Sequence, residues 1–514
     1  MRLLQLLGSE AGWEGGARAF ATGVQAALGG ELLAPAGLHG SALAALRQAL
    51  ERTQPEVVLV HLGLAGPDLL MLLRERGIRF AAFLHDFAPI CPTQRLWHRR
   101  GERCSGPGRT GWKCAWCVSG GAARGAAELP LRTLLYRHRP RTWRTALAGA
   151  EALIAPSRFA RERWIEEGAP PERIAVIVPP AAAAPAAAPG GGGARRVVFD
   201  GGRDEGAGAE LLAAALEQLR RPVRLEVVGN GEAAARWRTA LGAGAAGHEL
   251  RPAPPGGWPP LDAAAVVAAP VRYEAAYSPA VAMAQAAGAR AVATAVGGLA
   301  EQIVHGVNGF LAPPDDPAAL AESLEEAFAA PWDAALVAAE AGATAGAALQ
   351  AVRQLLERIA GGDAAPVVGL EHGAWLERRA AARGEATAEG VRALVAELRQ
   401  APVVEDIELA LEARQTGRQY KLAMNHALAF LHACGCRRIA VLPAQAPGAE
   451  AARAFLATSG MAAVEATELP DGMLELLGED QAADHAWIRR RFPQLKAYAG
   501  VSPAGAEVFA DPGD

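Results

Sequence analysis

Within these 514 residues, chemistry could be carried by two glycine pairs, one arginine, one histidine, two glutamates and a group of cysteines. Gly15-Gly16 and Gly297-Gly298 each follow a short apolar run and precede a helical pattern. A glycine loop at a helix N-terminus offers backbone N–H groups and the positive end of the helix dipole with no Cβ in the way, which suits a phosphate group. The same pairs also read as tight strand-to-helix turns with no ligand. Arg203 follows the glycines after residues 196–199 and could grip a diphosphate through two parallel hydrogen bonds. His85 stands directly after the apolar run 80–84, at the strand end where α/β proteins bind ligands; the other reading is a structural imidazole. Glu274 sits in a similar place, as a hydrogen-bonding carboxylate or a plain exposed one, and Glu301 either faces the same ligand or caps a helix.

Cys91, Cys104, Cys114 and Cys117 lie within 27 residues, the last two as Cys-Ala-Trp-Cys. Four thiolates ending in Cys-x2-Cys fit tetrahedral structural zinc, and Gly101, Gly106, Gly108 and Gly111 would let the loop wrap one ion, with His98 as a substitute ligand. Reduced thiols and disulfides are the alternatives; nothing in the sequence indicates the export that disulfides need. Residues 95–144 hold twelve Lys and Arg against Glu102 and Glu128, an excess of +10, interleaved with Trp97, Trp112, Trp116, Tyr136 and Trp143. Such a stretch suits an anionic membrane surface or a phosphate-bearing lipid-linked acceptor, or is simply a solvated face.

The elements that must position these residues alternate. Apolar runs at 3–7, 57–60, 80–84, 152–155 and 174–178 are separated by helix-length stretches, which predicts a parallel sheet covered on both faces. Residues 181–194 are Pro, Ala and Gly with no large apolar side chain, the composition of a linker. The alternation restarts at 195 and runs to about 362. Residues 363–514 show long amphipathic patterns and one isolated strand at 438–442, and read as a smaller, helix-rich α/β module without recognisable chemistry. The expected domains are therefore 1–180, 195–362 and 363–514.

Composition sets the outer limits. The chain is 51% hydrophobic, 5% aromatic and 21% charged, an ordinary globular mixture that excludes wholesale disorder. A net charge of -4 argues against a dedicated nucleic-acid binder. The opening MRLLQLLGSE lacks a long apolar core and a small-residue cleavage site, so secretion is not expected, and no long strongly apolar run predicts a membrane-spanning helix.

Residues 273–320, from YEAAYSPAVAMAQAAGARAVATAVGGLAEQIVHGVNGFLAPP onward, resemble the donor-binding segment of glycosyltransferase family 4. The order of a Glu, a helix ending Ala-x-Gly, a strand, Gly-Gly-x-x-Glu and Asn-Gly-x-Leu is that of the family. Gly15-Gly16, His85-Asp86 and the APSRFARERW of 155–164 agree, so the resemblance covers about residues 1–360. It implies a GT-B fold, in which two Rossmann-like doubly wound domains face a cleft, and hexose transfer with retention from a nucleotide diphosphate-sugar to a glycan or lipid-linked acceptor in surface polysaccharide assembly. The lack of export features and the basic stretch 95–144 lead to the expectation of a cytoplasmic chain able to lie on the inner membrane face, with no redox cofactor and, for want of a binding motif, no nucleic acid. By the resemblance Arg203 grips phosphate, Glu274 binds sugar hydroxyls as the first Glu of Glu-x7-Glu, and His85 contacts the donor sugar. The sequence departs from the family twice: Ala207-Gly208 stands where Lys-Gly is expected, and the second Glu falls at Ala282 or Met283. Those departures motivate a rival reading, a catalytically degenerate GT-B domain acting as a binding or scaffold protein. A sugar-nucleotide epimerase on the same fold is a further alternative.

Overall fold

The structure, a computed structural model, describes residues 1–7, 16–34, 39–62, 66–98, 102–104, 111–119, 129–180, 195–201, 207–228, 239, 241, 248–252 and 258–362, and beyond these the strands and single residues named below. Two compact units divide the chain, Met1–Gln400 and Ala401–Asp514.

The first unit begins with β1 (Leu3–Leu7), α1 (Gly16–Leu28), β2 (Glu31–Leu33), α2 (His39–Thr53), β3 (Val57–Leu62), α3 (Pro67–Glu75) and β4 (Phe80–Leu84). A two-stranded hairpin of β5 (Trp97–His98) and β6 (Glu102–Arg103) follows, then α4 (Trp112–Ser119), α5 (Leu129–Leu147), β7 (Ala152–Ala155), α6 (Arg158–Glu166) and β8 (Ile174–Val176). The strands of the main sheet are parallel, in the order β2-β1-β3-β4-β7-β8. β1, β3, β4 and β7 are buried at every position, because helices cover both faces, and for that reason the strands read as continuous apolar runs.

The second half of this unit contains β9 (Arg196–Asp200), α7 (Ala209–Leu216), β10 (Arg224–Val228), β11 (Glu249–Pro252), β12 (Ala265–Ala269), α8 (Pro279–Ala286), β13 (Arg290–Thr294), α9 (Leu299–Gln302), β14 (Phe310–Ala312), α10 (Pro317–Ala329) and α11 (Ala334–Gly361). Its parallel sheet runs β11-β10-β9-β12-β13-β14, the dinucleotide-fold order in which the third strand of the domain flanks the second and the chain reverses between the first and fourth. Each sheet therefore has a switch point, between β1 and β3 and between β9 and β12, where adjacent connections leave in opposite directions and open a crevice. The two sheets are the Rossmann-like halves of a GT-B fold.

α11 ties the halves together. Ala348, Val352, Leu355, Leu356 and Ile359 share an apolar cluster with Phe20, Val57 and Phe83 of the first sheet layer. Arg79 Nη1 donates to the Ile359 carbonyl at 3.1 Å and Arg353 Nη2 to that of Ala27 at 2.8 Å. By length and composition this Ala-rich helix is apolar enough to cross a membrane, which the sequence reading did not expect. One face packs against the first sheet through those residues, while only 17% of the most apolar window is buried.

In the second unit, β15 (Arg438–Leu442), β16 (Ala462–Val464), β17 (Gly472–Leu476), β18 (Ala497–Ser502) and β19 (Gly505–Ala510) form one sheet in the order β16-β15-β17-β18-β19, with only the β18–β19 pair antiparallel. The strand at 438–442 is thus interior and not isolated. Its partners escape sequence reading because AAV, GMLEL, AYAGVS and GAEVFA are short and rich in Ala and Gly.

Candidate active site

His85 leaves the end of β4 beside the switch point of the first sheet. Its Nε2 lies 3.1 Å from Nδ1 of His61 on β3, and His61 Nε2 lies 2.9 Å from Oε1 of Gln5 on β1. The Phe83 ring stacks on His85 at 4.4 Å and Phe20 meets it edge-on at 5.8 Å. Burial in this aromatic setting drives the His61 pKa down to about 3 and holds His85 well below the usual histidine value, with His61 adding to the effect, so both imidazoles are neutral. Neither Gln5 nor His61 was singled out from the sequence. The available signal was a polar side chain inside the buried runs LLQLL and VVLVHL.

Asp86 follows. Its Oδ1 accepts from the Ala88 N–H at 2.7 Å, and its Oδ2 is buried with no hydrogen-bond partner among the described residues. Burial pushes this carboxyl up to about 7, and the Ala88 N–H, Arg95 and Arg139 only partly oppose the rise. The result is a carboxyl poised between its acid and its base near neutrality.

From the other half, Glu274 lies in the connection from β12 to α8, at the second switch point. Gly297 and Gly298 pack on the backbone of that connection. Gly298 N–H donates to the Ala275 carbonyl at 2.8 Å, and a Cβ on Gly298 would stand 2.1 Å from the Ala276 carbonyl oxygen. Gly297 has φ +49° and a Cβ there would lie 2.5 Å from the Ala275 oxygen. The pair is therefore required for close backbone approach around Glu274, and the Gly298 N–H is committed to the protein itself.

Glu301 joins the two halves. Its Oε2 accepts from the Arg158 N–H at 2.8 Å and its Oε1 from the Phe159 N–H at 2.7 Å, at the start of α6. Ser157, the N-cap of α6, accepts from Ala160 N–H at 3.1 Å and donates to the Ala276 carbonyl at 2.8 Å. Three of the four unpaired donors of that helix end are thus satisfied, two of them by the opposite domain. Burial raises the Glu301 pKa, with the two backbone N–H groups pulling it back. Nearby, Arg95 lies over the Tyr273 ring at 5.8 Å and Arg272 over Trp97 at 5.4 Å, so the hairpin region reaches the Glu274 connection.

The two departures from the family pattern occupy core positions. Ala207 is buried, and Gly208, the N-cap of α7 with φ +87°, approaches Pro270 so closely that a Cβ would lie 1.8 Å from its carbonyl oxygen. Ala282 is buried on α8 and lines a cavity of about 60 Å³ with Tyr277, Gln285 and Gln302; neither its methyl nor Met283 can accept a hydrogen bond from a ribose hydroxyl. Gly15 and Arg203 lie outside the described residues, while Gly16 opens α1.

The cysteine cluster does not support the expected zinc. Cys91, Cys104, Cys114 and Cys117 all stand as thiols, and among the described residues no group of three or more His, Cys, Asp or Glu side chains is placed to hold a metal ion. The four lie near one another, since burial and the neighbouring sulfurs push the Cys114 thiol up to about 12, but they do not form a metal-holding group among the described residues. Cys91 Sγ instead lies 3.2 Å from the Thr93 hydroxyl.

Residues 30–181 match the family model described as Glycosyltransferase Family 4, and residues 194–329 match that of Glycosyl transferases group 1. Similar solved structures include HepE of Anabaena in complex with UDP, at 16% identity and TM-score 0.49 over 70% of this chain and 100% of that one. A glycosyltransferase of Rickettsia africae aligns at 13% identity and TM-score 0.48, over 70% of this chain and 98% of its own. Sucrose-phosphate synthase of Thermosynechococcus elongatus aligns at 16% and 0.44, over 74% and 100%. No curated protein matches the chain.

Proposed function

The chain belongs to the family 4 glycosyltransferases of the GT-B fold, and on that premise we propose that it moves a hexose, with retention, from a nucleotide diphosphate-sugar to a glycan or lipid-linked acceptor. The observation that carries this reading is that the segment after β7 is bonded to those after β12 and β13, Ser157 to Ala276 and Arg158 and Phe159 to Glu301, with His85 following β4 and Glu274 following β12 on a connection that Gly297 and Gly298 hold tightly. In this reading the diphosphate lies at the second domain, where Arg203 grips it, and Glu274 accepts hydrogen bonds from sugar hydroxyls. His85, neutral, exchanges a hydrogen bond with the sugar near the bond that breaks. Departure of the nucleoside diphosphate then needs charge stabilisation on phosphate more than a nucleophile from the protein.

Nucleoside diphosphate release, measured over a panel of nucleotide-sugars with and without acceptor, tests the proposal. Glu274→Ala is expected to lower kcat/KM about 10- to 100-fold, the loss of a hydrogen bond to a charged group. Binding of a nucleotide-sugar with no release, unaltered by Glu274→Ala, would instead favour the second reading, a binding or scaffold protein. That reading has its own support in Ala207 and Ala282, buried where two donor contacts of the family would stand.

The chain is further proposed to work on the inner, anionic face of a membrane in surface polysaccharide assembly. Among the described residues the exposed large apolar side chains are Met1, Trp112, Trp116, Leu131, Leu134 and Leu135, and all but Met1 lie on the mutually packed α4 and α5. Trp112 and Trp116 stack at 6.5 Å, and the twelve basic residues of 95–144 surround this face in sequence. Each basic residue near an anionic surface contributes about 1 kcal/mol, and each inserted Leu roughly 1.5 to 3 kcal/mol. Sedimentation with phosphatidylglycerol vesicles should be salt-sensitive and weakened by L134D; equal binding to neutral vesicles would refute the proposal.

A further inference from the structure

β1, β3 and β4 are neighbours in the first sheet, with Leu7 opposite His61 and His61 opposite Phe83. This register lines up Gln5, His61 and His85 across three strands into one hydrogen-bonded row, Gln5 Oε1 to His61 Nε2 at 2.9 Å and His61 Nδ1 to His85 Nε2 at 3.1 Å. Gln5 is fully buried and His61 is 1% exposed, so water does not compete at the inner end of the row. A neutral imidazole has one N–H and one lone pair, and an amide oxygen only accepts. With Gln5 Oε1 facing it, His61 must carry its proton on Nε2 and present a bare Nδ1. His85 must then carry its proton on Nε2 to donate to that lone pair. The choice made at Gln5 therefore propagates to the outer imidazole.

Only one end of the Gln5 amide is used. Its Nε2 is buried without a hydrogen-bond partner among the described residues, an arrangement that penalises the fold, while the Oε1 end is the one used. Phe20 and Phe83 hold both imidazoles by their ring faces and edges, at 5.5 Å from Phe20 to His61 and 4.4 Å from Phe83 to His85, which leaves the hydrogen-bonded row as what orients the protons.

We propose that Gln5 and His61 are positioning residues that hold His85 in a single tautomer, Nε2–H, so that its Nδ1 stays bare as the acceptor for a hydroxyl of the sugar substrate. The proposal rests on the glycosyltransferase reading for the identity of that hydroxyl, and on the row alone for the tautomer. His85 Nδ1 has no hydrogen-bond partner among the described residues, as this role requires.

The experiment is nitrogen NMR of the full chain labelled at histidine, with the His85 signals identified by their loss in His85→Gln. The expected spectrum shows a protonated Nε2 and a bare Nδ1 on His85. In Gln5→Leu both tautomers should appear, and in His61→Asn, whose amide oxygen replaces Nδ1 as acceptor, the single tautomer should persist. Turnover should follow: kcat about five-fold lower in Gln5→Leu with donor KM unchanged, the size expected from one hydrogen bond, and a smaller loss in His61→Asn, which retains the acceptor. A proton on Nδ1 of His85, a mixed population in the unaltered chain, or a tautomer indifferent to Gln5→Leu would each overturn the proposal. Should a variant fail to fold, the unaltered chain's spectrum decides. Absence of any turnover alongside a fixed Nε2–H tautomer would sink the glycosyltransferase reading and leave the row standing.

Discussion

Replacing Asp86 by Asn should make the protein more stable, and only on the alkaline side. The Asp86 carboxyl rises from 3.8 to about 7 because burial penalises the anion, so between those values the folded chain holds a proton that the unfolded chain has released. Stability therefore falls as pH climbs through that window, and the loss is complete above pH 7. At about 1.36 kcal/mol per pH unit the full gap corresponds to roughly 4 kcal/mol. The residue keeps some contact with solvent, although Oδ2 has none, and this reduces the figure. Asp86→Asn keeps the oxygen that accepts from Ala88 N–H and removes the charge. We expect a gain of about 2 kcal/mol at pH 8 and almost none at pH 4. Urea unfolding of the full chain, followed by tryptophan fluorescence at both pH values, measures the difference. A gain of equal size at both pH values, or a variant less stable at pH 8, would show that Arg95 and Arg139 outweigh burial and that the carboxyl is an ordinary ion-paired anion.

Gly298→Ala would force a Cβ to within 2.1 Å of a backbone oxygen, and a thermal melt should register a loss of about 2 to 4 kcal/mol or failure to fold. Glu301→Ala removes both acceptors at the start of α6 and is expected to cost about 2 to 3 kcal/mol, whereas Glu301→Gln, which keeps one oxygen, should cost less; equal losses would mean that the retained oxygen contributes nothing and that the charge or the second oxygen carries the whole effect. Ser157→Ala strips a cap and a bond to Ala276 together, and a loss of about 1 to 2 kcal/mol in the same melt checks it.

The alternation of buried strands and glycine turns made both Rossmann-like sheets legible, since parallel strands covered on two faces leave continuous apolar runs. The place of His85 at a strand end was legible for the same reason, whereas Glu274 lies beyond the end of β12, within the connection to α8. Gln5 and His61 were not legible, because their bond spans 56 positions and only the β1–β3 register brings them together. Glu301 read as a ligand contact or a cap, but the helix it caps begins 143 positions away in the other domain. The cysteines misled in the opposite sense: spacing suited to zinc says nothing of where the sulfurs point. In 401–514 the strands carry too little apolar patterning to announce a sheet.

The capping of α6 across the two halves bears on motion. Parting the domains by rotation must draw Glu301 away from Arg158 and Phe159 and Ser157 away from Ala276. Two backbone donors are then stranded until water reaches them, and a buried carboxylate regains its hydration shell. The start of α6 is thus a joint at which the two halves share one cap, so the helix end and the domain contact stand or fall together.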